Sequence, residues 1–214
     1  AVRMWEQATA SMADIDTALA FQPPHLSAYH LTLEPNTPFG HAAPPNLPDD
    51  DLAADMQQSI ETRLAEAGMQ HYETSAYARP SHASRHNLNY WQFGDYLGIG
   101  AGAHGKITDL QQQKAYRLHK KKHPKDYLAG TDGYIAGEET IHADDMPFEF
   151  MMNALRLVDG VPASFYQART GLRPEALNTV LQRLRQEGLL HADNALLAPT
   201  ETGMRYLNSV LQRF

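Results

Sequence analysis

The sequence predicts an α/β chain with an α-rich tail, and three observations carry that prediction. Strand, helix and strand follow one another between His25 and Thr74, a βαβ pattern that implies a parallel sheet with a right-handed crossover. A third apolar strand, Tyr96 to Ala101, runs into alternating glycines at Gly98, Gly100, Gly102 and Gly105. After Thr140 the pattern turns helical. A boundary is therefore placed there, with an α/β unit over 1–140 and an α-rich unit over 141–214.

The elements follow in order. Trp5, Ala8, Met12, Ile15 and Leu19 recur at helical steps, and Pro23-Pro24 ends that helix. His25 to Leu33 is apolar and β-rich, as expected of a strand buried on both faces. Pro35 to Pro48 is rich in proline and reads as a long surface loop. Asp49, Asp50 and Asp51 suit the positive end of a helix. Leu52, Met56, Ile60 and Leu64 continue that helix to Gly68, and Met69 to Thr74 is a second strand. Ala115 to His119 adds a strand that ends in three solvated lysines, Lys120 to Lys122.

In the tail, Phe148, Met151, Met152, Leu155 and Val158 mark a helix, and Pro162 to Thr170 a second. A third opens at Arg173-Pro174-Glu175 and closes at Gly188. Leu189 to Leu197 reads as a hairpin turning at Asp193-Asn194, and a last helix runs from Gly203. Helices, hairpin and helix in this order are winged-helix-like. Its arginines, Arg173, Arg183 and Arg185, are nearly balanced by Asp159, Glu175, Glu187, Asp193 and Glu201. Phosphate binding draws on an excess of positive charge, so a docking module is favoured over a nucleic-acid reader.

Composition narrows the function. The net charge of −7 argues against general nucleic-acid binding. No apolar run is long enough to span a membrane, and no secretory signal opens the chain, so a cytoplasmic protein is expected. There is no cysteine, which excludes disulfides, thiolate catalysis and an iron–sulfur cluster held by this chain's own thiolates.

The chemistry concentrates between Ser84 and Gly105. His86, Asn87, Tyr90 and Trp91 place an imidazole, an amide and two rings within six positions. His104 lies among the glycines. A neutral imidazole coordinates iron or hydrogen-bonds a cofactor, although for an isolated histidine a hydrogen-bonded structural role is the commoner one. The glycine run lacks the Lys-Ser/Thr of a phosphate loop and a clear acidic partner for a dinucleotide. It is either a ligand-facing turn or a plain strand end.

Four stretches carry a resemblance: Leu26 to Phe39, Tyr72 to Ala78, His86 to Trp91, and Gly94 to Gly105, with Phe148 to Leu157 beside them. Together they resemble the heme-chaperone family of the radical SAM superfamily, which is related to oxygen-independent coproporphyrinogen III oxidase of porphyrin biosynthesis. The resemblance implies the C-terminal part of a partial (β/α) radical SAM barrel followed by the family's C-terminal domain. It implies heme binding at His86, Asn87, Tyr90 and Trp91, with His86 as the iron contact. It places Thr32, Gly98, Gly100, Gly102, Ala103 and His104 on the S-adenosylmethionine side. The implied function is heme delivery to apo-hemoproteins, with peripheral association near membrane enzymes and no membrane span. The alternative function is a coproporphyrinogen oxidase-type enzyme.

The family's 4Fe-4S cluster is held by a cysteine motif that this chain lacks. Radical cleavage by this polypeptide alone would have no electron source. A barrel cut in this way exposes a strand edge, which is expected to be covered, for instance by a second copy in a homodimer.

Overall fold

The computed structural model describes residues 2–4, 8–130 and 133–214, and these divide into two compact units, Ala1–Ser84 and Arg85–Phe214. Trp5 lies outside the described residues.

The first unit contains β1 (Val2–Met4), α1 (Ala8–Ala20), β2 (His25–His30), α2 (Pro38–His41), α3 (Asp50–Glu66), β3 (Gln70–Glu73) and β4 (Ala76–Ala78). The sheet order is β1-β2-β4-β3. β1 and β2 are parallel and are joined through α1, so this is the true βαβ unit. The parallel pairing expected between β2 and β3 does not form. The unforeseen β4 lies between them, antiparallel to both.

β2 is also not buried on both faces. Leu26 and Ala28 point into the core, while Tyr29 is exposed and the strand stops at His30. The core consists of Ile15 of α1, Met56, Ile60 and Leu64 of α3, Leu26 and Ala28 of β2, Met69 and Tyr77. α3 starts as expected: the Asp49 side chain accepts the Leu52 N–H at 2.9 Å, and Asp50 and Asp51 follow in the first turn.

The second unit opens with α4 (Arg85–Trp91), followed by β5 (His104–Asp109), β6 (Lys114–Lys120), α5 (Pro124–Ala129) and β7 (Ile135–Ile141). β5, β6 and β7 form an antiparallel sheet in that order. The expected strand Tyr96 to Ala101 is instead a loop, whose one bridge in the sheet pattern joins Tyr96 to Lys106. Gly98, Gly100 and Gly102 therefore precede a strand rather than end one, and Gly105 lies within it. Gly100 and Gly102 have φ of +109° and +71°, outside any strand. β7 has no counterpart in the sequence reading. It ends at Ile141, where the chain turns helical.

The tail holds α6 (Met146–Ala154), β8 (Val161–Pro162), α7 (Ser164–Thr170), a 3₁₀ turn (Pro174–Leu177), α8 (Asn178–Gln186), β9 (Leu196–Leu197), α9 (Glu201–Arg205) and α10 (Leu207–Leu211). α6 buries Met146, Phe150, Met151 and Ala154, whereas Phe148 is exposed. The expected hairpin closes further along, with Leu190 opposite Pro199, while β9 pairs with β8. Two arginines expected on a recognition helix are engaged internally. Arg183 pairs with Glu187, and Arg185 donates to the carbonyls of His191, Asp193 and Leu196.

Candidate functional site

α4 is seven residues long and contributes no buried residue. His86 is exposed at its start, and Asn87, Tyr90 and Trp91 are half-buried. Four-residue spacing brings His86 against Tyr90, with ring centres 4.7 Å apart and the planes tilted by 58°. Tyr90 in turn meets Tyr96 from the following loop at 4.2 Å. Three rings thus form a short ladder that ends on an exposed imidazole. Burial, and then the neighbouring Tyr90 phenol, push the Tyr96 hydroxyl above its ordinary pKa.

The turn after α4 is held from below. Phe93 adopts a left-handed φ of +57°, unusual for a bulky side chain. Lys106 of β5 is 5% exposed, and its ammonium lies 3.9 Å from the Phe93 ring centre. The same Nζ donates to the Phe93 carbonyl at 3.2 Å, to Asp95 at 3.0 Å and to the Thr108 hydroxyl at 3.1 Å. Burial lowers the Lys106 pKa, against the pull of Asp95. Burial alone would raise the Asp95 carboxyl, but bonds from the Thr108 N–H, the Thr108 hydroxyl and Lys106 outweigh it and hold it low.

α4 also meets α6. The Arg156 guanidinium lies 5.1 Å from the Trp91 ring centre. The Trp91 Nε1–H is buried without a hydrogen-bond partner. Buried donors are nearly always paired, and Ser11, His71 and Tyr166 share this unpaired state among the described residues.

Leu97 and Ile99 project from the glycine loop, 77% and 86% exposed. Gly98 is needed there for close approach, because a Cβ would meet the His104 carbonyl oxygen at 2.3 Å. The Gly100 N–H donates to the Tyr127 hydroxyl at 3.2 Å. Ala103 lies just before β5, and its carbonyl accepts the Lys120 N–H. His104 opens β5 and stacks on His119 across the strands at 5.8 Å.

Thr32 is exposed beyond the end of β2, not on a strand, and belongs to the first unit. No group of three or more metal-type side chains occurs among the described residues. None of their helices is long and apolar enough to cross a membrane.

Sequence reasoning found the α4 residues but missed Tyr96 as their continuation, and missed Lys106 and Arg156 as their supports. Tyr96 falls outside helical spacing from Tyr90. Lys106 and Arg156 are remote in sequence, and no local pattern marks them.

Residues 141–206 match the family model described as HemN C-terminal domain. The heme chaperone HemW of Escherichia coli is 43% identical over 95% of this chain and 53% of its own length. That of Haemophilus influenzae is 42% identical over 95% of this chain and 52% of its own. Among solved structures, the radical SAM enzyme coproporphyrinogen III oxidase (HemN) from Escherichia coli matches with a TM-score of 0.71 at 15% identity. That match covers 97% of this chain and 51% of the oxidase, and shows a shared fold. The chain spans about half the length of the curated relatives it matches. Over that half the chain is similar in sequence to proteins named heme chaperone HemW, and its residues 141–206 match the HemN C-terminal domain.

Proposed function

We propose that this chain takes part in cytoplasmic heme trafficking, binding heme at α4 and passing it to an apo-hemoprotein. The observation that supports this best is the ring ladder of His86, Tyr90 and Tyr96, which ends on an exposed imidazole. Such an imidazole is free to meet a heme iron, and the rings beside it offer contact to a porphyrin. Asn87 supplies an amide next to His86. The exposed Leu97 and Ile99 add apolar surface from the adjoining loop. The orphaned Trp91 donor fits a ligand that brings its own acceptors.

In this reading the loop of the second unit from Gly98 through Gly100, Gly102, Ala103 and His104 faces S-adenosylmethionine. A side chain built at Gly100 would meet nothing within 4 Å, which leaves room there. The 4Fe-4S cluster of the superfamily finds no thiolate in this chain. Residues 141–214 act as one module, since β7 ends and the family match begins at residue 141.

The test is a heme titration of the wild-type chain against His86→Ala. Loss or a shift of the Soret band in the variant is expected. An unchanged band and affinity would remove His86 from the iron.

A further inference from the structure

Arg156 lies just past the last residue of α6 and is half-buried. Its Nε donates to the Met152 carbonyl at 3.1 Å, which fixes the direction of the guanidinium fork. The plane then rests beside the Trp91 ring. Among the described residues no carboxylate pairs with it. Glu149, two turns earlier on α6, is the acid nearest in sequence on that helix, and Arg117 of β6 takes both of its oxygens. A cation with unused donors therefore stands against the one ring of α4 whose own N–H is buried and unpaired.

An unpaired guanidinium next to an apolar ring is a receptor for a planar anion. Its fork matches a carboxylate with two parallel hydrogen bonds, and the ring beside it lowers competition from water. We propose that Arg156 anchors a carboxylate side chain of the tetrapyrrole bound at α4. This rests on the heme reading and extends it. His86 would meet the metal, whereas Arg156 would select the acidic edge of the macrocycle and so fix its orientation.

Heme and its dimethyl ester separate the two contributions, because the ester keeps the iron and the ring but has no carboxylate. Wild type, Arg156→Gln and Arg156→Lys are titrated with both, following the Soret band. Wild type is expected to bind heme about ten-fold more tightly than the ester, as for a charge-assisted hydrogen-bonded pair. Arg156→Gln should bring heme down to the affinity of the ester and leave the ester unchanged. Arg156→Lys should recover part of the difference, since lysine supplies the charge without the fork.

Equal binding of heme and ester by wild type overturns the proposal and leaves the heme reading standing. So does an Arg156→Gln variant that weakens both ligands alike, which would mark a packing role against Trp91. The wild-type comparison needs no variant to fold. Binding of neither ligand by wild type defeats the heme reading and this proposal together.

Discussion

α3 and α4 are both helices with an aromatic neighbour, yet they are built on opposite principles. α3 has 17 residues, a side-chain cap at Asp49, acids in its first turn and a buried stripe of Met56, Ile60 and Leu64. α4 has seven residues, no acid in its first turn, no base in its last and no buried side chain. A helix that short does not hold itself together in water. It is held by neighbours: Lys106 under the Phe93 carbonyl, Asp95 between Lys106 and Thr108, and Arg156 over Trp91. Stability and ligand chemistry thus sit in separate elements. The helix that carries the candidate site spends none of its residues on the core, and its His86 stays exposed.

The sharpest way to break this comparison is to damage each helix separately. Ile60→Ala opens a cavity in the core of the first unit and should cost about 2–5 kcal/mol in urea unfolding. Heme affinity of the folded protein should not change. Lys106→Met keeps the volume but removes three hydrogen bonds and a cation–ring contact. A loss of about 1–3 kcal/mol is expected, together with weaker heme binding. If Lys106→Met lowers stability while heme binds as before, α4 supports itself and the contrast fails.

The same contrast explains what could be read from the sequence. α3 was legible from its acidic start to its end, because Asp49 to Asp51, the four-residue apolar spacing and Gly68 are local signals. α4 was legible only as a cluster of chemically useful residues, with no apolar stripe to mark a helix. The strand expected at Tyr96 to Ala101 failed because apolar content at Leu97 and Ile99 was read as burial, whereas both side chains point outward. β4 was missed because Ala76, Tyr77 and Ala78 form too short a run to show alternation, although all three are buried. Its insertion between β2 and β3 turned an expected parallel pairing into two antiparallel ones. Strand order is a long-range property that the βαβ pattern does not determine.

Two smaller effects sharpen the α3 side. Asp49→Ala removes the acceptor for the Leu52 N–H and should cost about 1 kcal/mol, read as a lower urea midpoint with an unchanged slope. An Asp49→Ser variant should recover most of it, because serine also caps.

The smallest effect is a dependence on pH. His25 in the first unit bonds to the Tyr72 hydroxyl at 2.9 Å, and burial holds its pKa below the ordinary value against the opposing charge of Glu73. The folded state therefore binds this proton more weakly than the unfolded chain. Between the depressed value and about 6.5 the unfolded chain carries more protons, so stability rises with pH across that window. The contribution is complete above about 6.5 and is lost as pH falls below it. Asp95 in the second unit acts at lower pH. Its depressed carboxyl contributes fully above about 3.9, and that contribution disappears as pH falls through the lower folded value. Urea midpoints across this range should therefore fall in two stages. His25→Gln should reduce the upper stage, to which His30 with its burial-lowered pKa also contributes, and Asp95→Asn should flatten only the lower. A wild-type midpoint that is constant through the upper window would mean that the imidazole is equally basic folded and unfolded. Its bond to Tyr72 would then offset its burial, and the same would have to hold for His30, whose pKa burial also lowers.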